Sequence, residues 1–151
     1  MPITEVVPGP PTLVVGHGRD QAGDRALAVA IDLAHRLGAR LHVVHVADAR
    51  DYPVDPDAAD WEEQGRRTLA KDRRHVERIL AATGLTWTYE ARRGEPATEL
   101  TRAADEHDAL MLVVGTRGEG LRAAVSRMVE PSVSHGVIRR EHRPVLVVPG
   151  P

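Results

Sequence analysis

The chain of 151 residues is long enough for one domain that buries roughly two thirds of its unfolded surface. Twenty basic residues against twenty-two acidic ones leave it near neutrality, without the broad positive field of a nucleic-acid binder. The absence of cysteine excludes disulfides, thiolate nucleophiles and cysteine-based zinc sites, and the absence of phenylalanine leaves a core of Val, Leu, Ile and Ala.

Residues 1–10 hold three prolines and a glycine and read as a flexible leader; residues 11–151 read as a single domain. The start has no basic head, and no stretch approaches the ~20 apolar residues of a membrane span, so a cytoplasmic protein with no membrane partner is expected. "TLVVGH" is the first predicted strand. From Asp24, Leu27, Ala30, Ile31, Ala34 and Leu37 fall at helical spacing, and Gly38 stands where a left-handed cap belongs. "ARLHVVHV" is a second strand. The acids and two prolines of "ADARDYPVDPDAAD" deny regular structure until a helix begins near Ala58, which ends around Gly84.

"LTWTYEAR" alternates as a half-exposed strand does. Pro96 opens a short helix with Leu100, Ala103 and Ala104 inward, and "ALMLVVG" is a buried strand. Helical fragments between Leu121 and Arg140 precede a last strand, "PVLVVPG". Five mostly apolar strands alternating with four helices require an open, doubly wound parallel sheet covered on both faces. Ligands of such sheets sit beyond the carboxyl ends of the strands, so the glycine-rich loops after the first and fourth strands are the candidate site.

Taken in order, "TLVVGH", "LHVVHV", "RRGEPATEL", "DALMLVVGTRGEG" and "PVLVVP" resemble the universal stress protein family over Pro11 to Pro149. The resemblance implies sheet order 3-2-1-4-5, homodimers paired through the last strand (Val145, Leu146, Val147, Val148), and a stress-linked regulatory role in which some members bind ATP and others do not. The ATP binders share Gly-x-x-Gly, nine residues, then Gly and Ser or Thr. Gly115, Thr116, Arg117 and Gly118 match the first part, whereas Pro131 stands in the second glycine's place, ahead of Ser132, Val133 and Ser134, in a loop three residues longer.

Glycines let backbone N–H groups converge on phosphate, and proline has none to offer. The family's ATP binders also carry Asp at the end of the first strand, where this chain reads Gly16, His17, Gly18. A neutral imidazole there offers a single acceptor nitrogen to ribose or adenine. Val46 matches the position whose backbone meets adenine. A degenerate adenine-nucleotide site, with ATP bound weakly or not at all, is therefore expected.

Other chemistry is less well supported by the residues. "GHGRDQAG" fails as a dinucleotide fingerprint at Gln21, and no Gly-Lys-Ser/Thr loop exists. His42 and His45, three apart on a strand, point to opposite faces and read as surface histidines, so no structural metal is expected. Arg139, Arg140, His142 and Arg143 read as ordinary partners of a helix C-terminus. Glu130, Ser132 and His135 lack the strained turn of a hydrolase nucleophile, so no catalytic residue is assigned. The alternatives are an adenylating transferase with His17 near the phosphates, and a dimeric interaction module without ligand.

Overall fold

The structure, a computed structural model, describes residues 9–18, 21–47, 57, 59–116 and 143–149. The expected fourth helix, between Leu121 and Arg140, lies outside these residues. The remaining elements follow the predicted order: β1 (Thr12–Gly16), α1 (Gln21–Leu37), β2 (Arg40–Ala47), α2 (Trp61–Ala81), β3 (Trp87–Arg93), α3 (Pro96–Glu106), β4 (Met111–Gly115) and β5 (Val145–Val148). The strands form one parallel sheet in the order β3-β2-β1-β4-β5.

Strand parity sorts the core into two layers. Leu13, Val15, Leu41, Val43 and Val113 pack with Ala26, Leu27, Ala30 and Ala34 of α1 and Val76 and Leu80 of α2. Val14, Val44, Leu112 and Val114, one residue out of phase, pack against Leu100, Ala103 and Ala104 of α3. This is the alternation that a sheet buried on both faces requires. The short side chains of α1 let the helix lie close to the strands.

Several boundaries differ from expectation. Helix α1 begins three residues before Asp24, because its first turn is held by packing rather than by propensity: a Cβ on Gly115 would meet the Ala22 carbonyl oxygen at 2.7 Å. Leu37, expected inward, is 45% exposed at the end of the helix, where the buried stripe has already closed at Ala34. Gly38 does take the left-handed conformation, with φ of 63°. Helix α2 starts at Trp61 rather than near Ala58 and ends at Ala81 rather than around Gly84, where Thr83 turns its N–H and its hydroxyl onto the Leu80 carbonyl. Helix α3 opens as its Pro96 predicts, and Glu95 caps it by accepting from the Thr98 N–H at 2.8 Å.

Candidate functional site

The carboxyl ends of β1 and β4 are neighbours in the sheet, which brings Gly16, His17, Gly115 and Thr116 to one edge. His17 directly follows β1 and is anchored by donating its backbone N–H to the Val44 carbonyl at 2.9 Å. Val46 lies next door on β2, half-buried, with its side chain on the α3 face. Arg117, Gly118, Ser132, Val133 and Ser134 lie outside the described residues, as does Pro131.

The His17 side chain does not stand open at this edge. It is buried on the α1–α2 face, where Nε2 donates to Asp24 Oδ1 at 2.9 Å and Nδ1 lies 3.3 Å from Asp72 Oδ1. The second approach is a charge contact without the alignment of a hydrogen bond. Burial alone would lower the imidazole pKa, but the Asp72 and Asp24 carboxylates outweigh it and hold His17 above its ordinary value. The free acceptor nitrogen expected of a neutral imidazole is thus not open at this edge, because both ring nitrogens of His17 face carboxylates.

The surrounding groups extend this network. His75 of α2 directs Nε2 at the same Asp24 carboxylate, 2.9 Å from Oδ1. Asp72 accepts from the Tyr89 hydroxyl at 2.6 Å, and His45 donates from Nδ1 to the His17 carbonyl at 2.8 Å. Burial would raise both aspartates, yet the His17 cation turns each below its ordinary value, helped by His75 at Asp24 and by Tyr89 at Asp72.

Asp24 and Asp72 were not singled out by sequence reasoning because their partners come from β1, β2, α1, α2 and β3. One local signal was present. Asp72 falls on the buried stripe of α2 with Gly65, Val76 and Leu80, and a carboxylate on an apolar stripe demands a partner.

His42 and His45 do project to opposite faces, but both are buried, at 4% exposure each. They escape solvent because β2 is covered on both sides and each finds polar company. His42 Nδ1 lies 2.5 Å from the Thr88 hydroxyl oxygen, Nε2 lies 3.4 Å from Glu90, and the ring stacks on His107 with centroids 3.8 Å apart. Burial pushes the His42 pKa down more than Glu90 restores it. Beside it Arg92 joins Glu90, Glu99 and Glu106, and the Glu106 contact above all holds its guanidinium pKa up. Arg143 donates to the Ala109 carbonyl and to Asp105, both at 2.7 Å, linking the start of β5 to the α3–β4 connection. Among Arg139, Arg140, His142 and Arg143, only Arg143 lies in the described residues.

The sequence model of the Universal stress protein family matches residues 11–149. Universal stress protein MJ0531 of Methanocaldococcus jannaschii is 30% identical over 129 residues, covering 81% of this chain and 72% of its own. A universal stress protein of Thermus aquaticus, from the QAH/OAS sulfhydrylase 3′ region, is 32% identical over 139 residues, 91% of this chain and 97% of its own. A universal stress protein solved in complex with cAMP superposes with a TM-score of 0.60 at 28% identity, over 91% of this chain and 96% of that one.

Proposed function

The chain belongs to the universal stress protein family, and from that membership we propose that it is a non-enzymatic regulator of the stress response that binds adenine nucleotide weakly at the carboxyl ends of β1 and β4. The complex of a relative with cAMP supports an adenine nucleotide as the ligand class. Gly16 and Val46 would line the base end, while Gly115, Thr116, Arg117, Gly118, Ser132, Val133 and Ser134 would meet the phosphates.

The observation that carries weak binding is the engagement of His17. Both ring nitrogens face carboxylates, so the side chain where ATP binders place an aspartate has no acceptor left for ribose or adenine. The same engagement argues against His17 acting near the phosphates of an adenylating transferase. Cytoplasmic placement accords with the lack, among the described residues, of any helix long and apolar enough to cross a membrane.

Assembly as a homodimer through β5 completes the reading. Leu112 donates its N–H to the Pro144 carbonyl at 3.0 Å, so by the parallel pattern Leu146 N–H turns toward β4 while Val145 and Val147 turn theirs outward. A second copy of β5, antiparallel about a two-fold axis, would satisfy those outward groups.

Calorimetry with ATP and Mg²⁺ on the purified chain tests the nucleotide reading. Weak heat with a dissociation constant well above about 1 μM is expected; tighter binding would overturn it. No heat and no co-purified nucleotide would favour the interaction module without ligand.

A further inference from the structure

The geometry points to a mononuclear site for a divalent transition metal of the zinc class, with His17 Nε2, Asp24 Oδ1 and His75 Nε2 as ligands. These three groups arrive from the end of β1, the first turn of α1 and the middle of α2, and their ligand atoms lie within 4.8 Å of one another. Asp24 Oδ1 is 2.9 Å from each imidazole nitrogen. Tetrahedral bonds of about 2.0 to 2.1 Å put ligand atoms about 3.3 Å apart, so each Asp24–histidine pair would open by a few tenths of an ångström and the two imidazoles would settle at a similar spacing around the ion.

The shell behind the ligands is what distinguishes this cluster from a chance meeting of polar side chains. A metal-bound histidine characteristically presents its other ring nitrogen to a carboxylate, which fixes the tautomer and aims the ligating lone pair. His17 has the partner in place: its Nδ1 faces Asp72 at 3.3 Å, a charge contact that a small turn of the ring would align, and the Asp72 side chain, 2% exposed, is held in turn by the Tyr89 hydroxyl. The carboxylate, the imidazole and the bridging Asp24 thus stand in sequence from the interior outward.

Access is asymmetric in the way an open coordination site needs. His17 is buried, whereas the His75 and Asp24 side chains are 43% and 46% exposed, so an ion can enter from solvent and keep a position for water or an exogenous ligand. Two imidazoles and one carboxylate suit zinc and its transition-metal neighbours rather than Mg²⁺ or Ca²⁺, which take oxygen ligands. In the metal-free state the same three groups are held together by hydrogen bonds to Asp24.

The full chain, stripped with a chelator, should be titrated with Zn²⁺ in competition with a chromogenic chelator. A single saturable ion per chain is expected, with affinity falling about tenfold or more in Asp24→Asn and in His75→Ala. His75 is half-exposed on a helix, so its replacement by alanine keeps the fold. His35→Ala, a histidine on α1 bonded to the Thr83 carbonyl away from the cluster, should bind as the wild type does. Co²⁺ in place of zinc should give visible absorption that His75→Ala abolishes. Absence of saturable zinc binding, or binding undiminished in His75→Ala, would overturn the site.

Discussion

The Tyr89 hydroxyl donates to Asp72 Oδ2 at 2.6 Å, so a strand at the sheet edge reaches across to steady a carboxylate on the inward face of a helix. The bond links β3 to α2, the helix that precedes it in the chain. Removing one partner of a bond to a buried charge leaves that charge under-solvated, which costs more than the bond itself is worth. Tyr89→Phe should therefore lower unfolding free energy by about 1 to 3 kcal/mol, with an unchanged urea m-value as the sign that only the native state was affected.

The two glycines at the strand ends should differ in tolerance. A Cβ at Gly115 would meet the Ala22 backbone, with the carbonyl oxygen at 2.7 Å, whereas at Gly16 the closest atom is the Leu100 Cδ1 at 2.9 Å, the tip of a side chain that can turn aside. Gly115→Ala should cost about 1 to 3 kcal/mol because the start of α1 must move, and Gly16→Ala should cost less. Paired urea denaturation curves would check the ranking; equal costs would contradict it.

Acid sensitivity should be traceable to His42. Burial lowers its folded-state pKa below the ordinary 6.5, so the unfolded chain binds more protons under mildly acidic conditions. Its contribution is complete above 6.5 and is lost as pH falls from there toward the lowered folded value. Glu90, which faces it with Arg92, Thr88 and His107, is also lowered, from 4.5, and adds a further loss of the same sign in more acidic solution. His42→Gln should flatten the upper part of this dependence. Stability measured between about pH 7.5 and pH 5.5 in both proteins isolates the effect from His17 on the opposite face; parallel curves would contradict the assignment.

Assembly can be separated from folding by the direction of two N–H groups. Leu146→Pro removes a donor aimed at β4 and should destabilise the sheet edge itself, while Val147→Pro removes one aimed outward and should dissociate the proposed dimer with the fold retained. Sedimentation velocity together with circular dichroism distinguishes the two. A wild-type chain that sediments as a monomer at micromolar concentration would contradict the dimer.

The periodic parts of the fold were legible in the sequence. Val-rich runs marked β1, β2, β4 and β5, and Leu100, Ala103 and Ala104 marked the inward face of α3, because burial of short apolar side chains leaves a local period. Sheet order came from the family resemblance, which hydrophobic period alone cannot supply. Less legible was whatever depends on contacts between distant elements. The first turn of α1 contains Gly23 and carries a weak helical signal, and it forms where it packs against the end of β4. The histidines of β2 looked solvent-facing because polarity suggests exposure, and partners brought in by the sheet, Glu90, Thr88 and the His17 carbonyl among them, make their burial tolerable. At the candidate site, Gly16, His17 and Gly115 could be named from the strand ends, but Asp24, Asp72 and His75 meet His17 only in three dimensions.

The two histidines of β2 also act as a key for strand alignment. A strand covered by apolar residues on both faces could slide by one residue and still bury valine on either side, so hydrophobicity alone specifies its pairing poorly. His42 meets Thr88 and Glu90 on one face, and His45 meets the His17 carbonyl on the other. A one-residue slip would carry each imidazole to the face that lacks its partners, stranding two polar rings in apolar surroundings. Misaligned pairings of β2 with β1 and β3 are thereby penalised during folding, and the penalty comes from the polar residues rather than from the valines between them.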